Sequence, residues 1–215
     1  MPKASNGSGT AAPRRTRLAG PERRAVILAA AREVFMSDGY GGARTRAIAE
    51  RAGVTEAVLY RHFASKEEIF ETAILQPLAG ELDRLLERIR EATSGPSAVE
   101  ERLAALESTW LDGMADLLPL LGVALFSDQE TGRSSYRRMV VPFLDATLEA
   151  MQGAGLVNGG RDGWTVVRAA FGMNLLLAID AAHRRNGLDR DALVAQITDL
   201  YYFGLGGGQS LRLGR

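Results

Sequence analysis

The chain contains no cysteine, which excludes disulfides, thiol redox sensing and cysteine-ligated zinc and fits a reducing compartment. Histidine is almost as scarce, with only His62 and His183 in 215 residues, so no metal site of the common ligand types is expected. No uninterrupted run of about 18 apolar residues is found, and the start MPKASNGSGT lacks the apolar centre of a secretion signal. Neither membrane spanning nor export is therefore expected, and the expected location is cytoplasmic. Strand-like alternation of apolar and polar residues is missing as well, which leaves helices as the regular structure.

A formal net charge of zero hides a strong asymmetry. Residues 1–63 hold eleven Lys and Arg against five Asp and Glu, so the remainder of the chain is acidic by the same margin. Basic charge gathered in one short region is the electrostatic footprint of a polyanionic partner such as nucleic acid. With 46% hydrophobic residues the chain is long and apolar enough to bury a substantial core.

Residues 1–20, rich in Ser, Gly, Ala and Pro with Arg14, Arg15 and Arg17 near their end, read as a flexible basic tail. Those arginines are placed either to touch DNA or to remain solvated. Pro21 suits the first turn of a helix, and Ile27, Ala30, Ala31, Val34 and Phe35 form an i, i+3, i+4 stripe up to Gly39.

The stretch Thr45–Lys66, TRAIAERAGVTEAVLYRHFASK, reads as two short helices about a glycine turn. Ile48, Ala49 and Ala52 line one side of the first, and Gly53 ends it in a conformation that glycine adopts without steric cost. Thr55 is a candidate N-cap for the second. At about 100° per residue Leu59 and Phe63 fall inward while Ala57 and Arg61 fall outward. A helix held from behind that offers a small residue and a guanidinium outward is suited to a major groove. Arg61 matches the O6 and N7 acceptors of guanine, and Glu56 the amine of cytosine. Tyr60, His62 and Lys66 are donor types that position a protein on phosphates. The plain alternative for each is a solvated surface residue.

The run GYGGARTRAIAERAGVTEAVLYRHFASKEEIF, Gly39–Phe70, resembles the DNA-binding domain of the TetR family of bacterial transcriptional regulators. The matching residues are Gly39-Tyr40, Ile48-Ala49, Ala52-Gly53-Val54, Leu59-Tyr60, His62-Phe63 and Ser65-Lys66-Glu67. Ala43 and Arg44 depart from the usual threonines, and Ala57 from a frequent glycine. Without the threonine at 44, Thr45 is expected to cap the second helix one residue later. The resemblance implies an all-α fold: an N-terminal three-helix helix-turn-helix DNA-binding domain over 21–70, then a helical C-terminal ligand-binding and dimerisation domain over 71–206. Residues 207–215 form a loose tail. It implies a DNA-contacting set of Arg44, Thr45, Arg46, Thr55, Glu56, Ala57, Tyr60, Arg61, His62 and Lys66.

Beyond Phe70 the likeness is one of helical architecture only. Ile69 and Phe70 are expected to close the small core, and Pro77 to mark a boundary. Leu82, Leu85, Leu86 and Ile89 predict an amphipathic helix over 78–93, broken by Ser94–Ser97. A helix over 98–112 carries Leu103, Leu106 and Trp110; Gly113 and Pro119 are expected to kink or divide the next apolar stretch, and Pro142 to bend a helix over 134–151. Two strong helices are predicted over 163–185 and 189–204, joined at Asn186-Gly187. The wide apolar faces of these two, Val166, Val167, Ala170, Phe171, Leu175 and Leu176 on one and Leu193, Ile197, Leu200 and Tyr201 on the other, suit the dimer interface that the resemblance implies.

Trp110, Met114, Phe126, Met139, Phe143 and Phe171 are candidates to line an effector site, although such residues are more often plain core. Asn174, within the apolar run FGMNLLLAI, is either a polar anchor for a ligand or an interhelical hydrogen-bonding partner. Asp180 and His183 lack a nucleophile or a third orienting group, so no catalytic residue is assigned. The glycines at 204–208 fail the dinucleotide-binding spacing, and no cofactor is expected. The expectation is a homodimeric regulator, a repressor released from a near-palindromic double-stranded operator by a small-molecule effector. The alternative is a helical ligand-binding protein or small enzyme that has lost DNA binding.

Overall fold

The computed structural model describes residues 20–157, 162–183 and 189–201. The tail arginines at 14, 15 and 17, the Asn186-Gly187 link, the glycines at 204–208 and the tail at 207–215 lie outside the described residues. Among the described residues the regular structure is helical throughout.

Helix α1, Gly20–Gly42, buries the expected stripe of Ile27, Ala30, Ala31, Val34 and Phe35. Gly39, at φ 67° and ψ 175°, interrupts its helical path, so the stop read from sequence is real although one more turn comes after it. Helix α2, Thr45–Arg51, and helix α3, Glu56–His62, are joined through Gly53 at φ +65°, a left-handed conformation that favours glycine. The Thr55 hydroxyl accepts from the Val58 N–H and caps α3. Helix α4, Lys66–Phe70, is capped by Ser65, whose hydroxyl accepts from Glu68 N–H, while the Glu68 carboxylate returns to accept from Ala64 N–H. One cap differs from expectation: Arg44 holds the N-cap position of α2 with no side-chain bond. Thr45 is already inside the helix, so its hydroxyl points across to α3 rather than back to its own amides. Ile48, Leu59, Phe63 and Ile69 are at most 1% exposed, each contributing about 2 kcal/mol of burial.

Pro77 does not end the chain's helical path. Helix α4 continues through a π-helical turn at Glu71–Leu75 into helix α5, Gln76–Thr93. The same device recurs where helix α7, Gln129–Ser135, passes through a π turn at Tyr136–Val140 into helix α8, Val141–Gly153, with Pro142 in its first turn. Proline removes an amide and crowds the carbonyl four residues earlier; a wider turn just upstream makes room for it. Helix α6, Val99–Phe126, is a single 28-residue helix across both Gly113 and Pro119, not the helix over 98–112 and the kinked or divided stretch after it that the sequence predicts. Gly113 serves contact rather than interruption, because a Cβ there would overlap the Leu85 methyls, so α5 and α6 meet closely at this point. Helices α9, Gly163–His183, and α10, Arg190–Asp199, complete the described chain. By length and composition α6 and α9 are apolar enough to cross a membrane. In α6 the apolar residues Leu106, Trp110, Met114, Leu117 and Leu121 are spent on the core.

Helix α6 is the axis of the molecule, packing against α1, α5, α7, α9 and α10. At its start, Arg102 Nη1 donates to the carbonyls of Thr93 at 3.3 Å and Ala154 at 2.7 Å, binding the C-terminal ends of α5 and α8 to α6. A guanidinium on two helix C-termini satisfies orphan carbonyls and opposes both dipoles. Arg102→Ala is expected to cost about 1–3 kcal/mol, read as a lower urea midpoint; an unchanged midpoint would contradict this role.

Candidate nucleic-acid interface

The outer face of α3 is built from behind. Leu59 and Phe63 are buried, the Arg24 guanidinium lies 4.2 Å over the Phe63 ring, and Ala57, Tyr60 and Arg61 are left exposed. Arg61 carries neither an ion pair nor a hydrogen bond among the described residues, so its five donors are available to an outside acceptor.

Other members of the candidate set are engaged with one another. The Thr45 hydroxyl donates to Glu56 Oε1 at 2.8 Å and accepts from the Tyr60 hydroxyl at 3.2 Å. This three-residue network fixes the start of α2 against α3. Glu56 is thereby occupied by Thr45. Arg46 pairs with Glu50 at 2.8 Å in an exposed position, a geometry that contributes little to stability and leaves the side chain free to exchange partners. Arg44 is exposed, Thr55 is exposed and used as a cap, and His62 is half-buried.

Lys66 is placed by a residue whose role the sequence did not reveal. Its ammonium lies 4.5 Å from the Tyr40 ring centroid. That ring meets Phe70 edge-on at 4.8 Å, and its hydroxyl donates to Glu67 Oε1 at 2.7 Å. The hydrogen bond from Tyr40, with a lesser one from Ser65, holds the Glu67 carboxyl down at about 2. Desolvation and then the Glu67 bond push the Tyr40 phenol well above its ordinary range. Tyr40 stands within the Gly39-Tyr40 pair of the motif, yet spacing alone gives no hint that it bridges α1 to α4.

The candidate effector residues divide. Trp110, Phe143 and Phe171 meet edge to face, with centroids 5.7–6.4 Å apart, Met114 is fully buried beside them in the same core, and Met139 packs against that core. Phe126 is 69% exposed at the end of α6 and is not brought to this group, because it lies about 200° around the helix from the buried Ala124 and so faces outward. Asn174 is fully buried, and its Nδ2 donates to the Ala170 carbonyl at 3.1 Å and, across helices, to Glu107 Oε2 at 3.4 Å. Its Oδ1 has no partner, nor have Glu107 Oε1, Trp110 Nε1 and Thr198 Oγ1; the Tyr201 hydroxyl lies near enough to the Glu107 carboxyl to favour its charged form, but without the geometry of a full hydrogen bond.

Glu107 is the residue sequence reading missed, although its place four residues after Leu103 and three before Trp110 puts it on their face of the helix. It is 0% exposed, and burial pushes its carboxyl up to about 7, against weaker lowering by Asn174 and Tyr201. A carboxyl raised above its ordinary 4.5 contributes stability that is whole below pH 4.5 and is lost as pH rises through about 7. Wild-type stability is therefore expected to fall between pH 5 and 8 by up to about 3 kcal/mol more than that of Glu107→Gln. The difference between the two denaturation curves isolates Glu107 from His62 and His183; parallel curves would refute the assignment.

Residues 27–73 match the profile of the bacterial regulatory proteins of the tetR family. The chain is 40% identical over 99 residues to the HTH-type transcriptional activator FasR of Mycolicibacterium smegmatis, covering 46% of this chain and 43% of that protein. It is 37% identical over 84 residues to the HTH-type transcriptional repressor KstR2 of Mycobacterium tuberculosis, covering 39% and 40%. It thus spans less than half the length of these curated relatives. The crystal structure of the regulator FadR from Bacillus subtilis in complex with stearoyl-CoA superposes with a TM-score of 0.58 at 22% identity, over 82% of this chain and 96% of that one; this likeness shows the fold alone. The matched segment runs from Ile27, within α1, past the end of α4 and so holds the helix-turn-helix pair α2 and α3, and this segment of the chain is of the TetR family of bacterial regulatory proteins.

Proposed function

We propose that this chain is a homodimeric, cytoplasmic DNA-binding transcriptional regulator, not an enzyme, and that it represses by occupying a near-palindromic operator. The observation that carries this reading is an unpaired, exposed Arg61 on a capped helix clamped by Leu59 and Phe63. In the proposed division, residues 21–70 read DNA and residues 71–206 bind an effector and dimerise. Arg61 contacts base edges, with Ala57 giving the backbone room to approach. Lys66, Tyr60, His62, Thr55, Arg44 and Arg46 contact phosphates, and Thr45 and Glu56 hold α2 and α3 in register for them.

Two exposed apolar residues support the dimer: Leu176 on α9 is 65% exposed and Leu200, just after α10, is 55% exposed. A second copy across this face would cover them and set two reading helices on one side of a duplex, one or more turns apart. The effector site is proposed among Trp110, Met114, Phe143, Phe171 and Asn174. An effector that changes the spacing of the reading heads needs only about 1–3 kcal/mol of coupling to alter DNA affinity roughly 5 to 150-fold. Because the superposing FadR was crystallised with stearoyl-CoA, that compound is the first probe to titrate.

Duplexes selected from random DNA, bound at increasing salt, test the reading. Arg61→Ala is expected to lose about 1–3 kcal/mol on the selected sequence and little on random DNA. Lys66→Ala is expected to weaken both alike and to reduce the salt slope by about one charge. Equal losses on both duplexes for Arg61→Ala would remove it from base contact, and no binding at low salt would favour a helical ligand-binding protein instead.

A further inference from the structure

We propose that Ser127 is a positioning residue that joins the end of α6 to the DNA-reading unit through the backbone of Tyr40. The inference rests on the reading that α3 contacts DNA, and it adds a route between the two regions distinct from the continuous α4–α5 helix.

Ser127 is the C-cap of α6. Its hydroxyl donates its one proton to the Val123 carbonyl, inside the last turn of α6, and accepts from the Tyr40 N–H at 2.9 Å, 87 residues away in sequence. The residue facing it is Gly39, for two separate reasons. Its φ of +67° is one that side chains disfavour, and a Cβ there would stand 3.3 Å from the Ser127 Oγ, a tight approach. The chain of α1 is thus shaped to bring Tyr40's amide onto this hydroxyl.

Tyr40 is held by α6 through its backbone and by α4 through its side chain, which touches Lys66, Glu67 and Phe70. Lys66 and Glu67 form the first turn of α4, three and four residues beyond Phe63, which clamps α3. A change in the winding of the last turn of α6 moves the Ser127 hydroxyl relative to Tyr40. The first turn of α4 then loses its support on the α1 side. A hydroxyl that must hold its own helix and its neighbour at once cannot keep both bonds when the two helices shift apart.

The test uses the full chain carrying Ser127→Ala, which removes both bonds, and Ser127→Thr, which keeps a hydroxyl. Amide hydrogen exchange and affinity for the selected duplex are measured for each. In Ser127→Ala the Tyr40 amide and the amides of residues 66–70 are expected to exchange at least about fivefold faster, the loss of one ordinary hydrogen bond, with protection in α8 and α9 unchanged. Affinity for the duplex is expected to fall by a similar factor, and Ser127→Thr to restore both. Faster exchange at Tyr40 without change at 66–70 or in DNA affinity would overturn the proposal, as would protection lost evenly over all helices. Should the wild-type chain bind no duplex, the functional reading fails on its own, and exchange at 66–70 alone then decides whether Ser127 supports α4.

Discussion

A seven-residue helix does not hold its shape in water, because nucleation costs more than so few backbone bonds return. α3 exists only because Leu59 and Phe63 are buried in the core that α1, α2 and α4 share and because Thr55 closes its first turn. Its outward face is therefore set by its neighbours rather than by itself. Whatever displaces α1 or α4 displaces Arg61, and this dependence makes so small an element responsive to events elsewhere in the chain.

The neighbours are in turn fixed to longer elements. α4 has no free end: it runs through the π turn at Glu71–Leu75 into α5, which locks against α6 where Gly113 lets Leu85 approach. The Arg138–Glu71 pair at 2.9 Å attaches that same π turn to the segment entering α8. On the other side α1 meets the end of α6 at Ser127. Both sides of the reading unit thus lead back to α6, one through a covalent helix and one through the packing of α1 on α6, to which Ser127 adds a hydrogen bond. The covalent helix and that hydrogen bond differ in stiffness, since a helix transmits displacement along its axis while a single hydrogen bond is made or lost.

Much of this was legible in the residues. The stripe of α1, the left-handed Gly53, the Thr55 cap and the inward pair Leu59 and Phe63 follow from helical period and local steric rules, which act within a few residues. What escaped depends on neighbours distant in sequence. The prolines at 77, 119 and 142 read as breaks because proline is costly inside an isolated helix; tertiary packing holds these helices together through them, and π turns absorb two of the three. Gly113 read as an interruption because its purpose, room for Leu85, lies in another helix. Arg44 and Thr45 were assigned by counting along the motif, whereas the Thr45 hydroxyl answers to Glu56 and Tyr60 across the turn. Phe126 looks like a core residue by type and is exposed because it stands on the side of α6 opposite Ala124, which is buried in the core. Glu107 had a local signal that went unused: it stands four residues after Leu103 and three before Trp110, on the apolar face of α6, unlike Glu101.

Glu107 also bears on how the C-terminal helices are held. The α5–α6 seam is apolar and interlocked. The α6–α9–α10 seam instead carries Glu107, Asn174, Thr198 and Tyr201, each at least nine-tenths buried, and the first three each have a polar atom without a partner. Every such atom forgoes a bond it would make in water, at about 1–3 kcal/mol apiece, so this seam gains less from closure than an apolar one of equal area. The two sides of α6 are thus held with unequal strength. A shift of α9 and α10 against α6 is cheaper than one of α5 against α6, because opening the polar seam returns hydration to groups that lacked partners. Motion originating in this half of the molecule therefore falls first on α6, the helix whose far end carries Ser127.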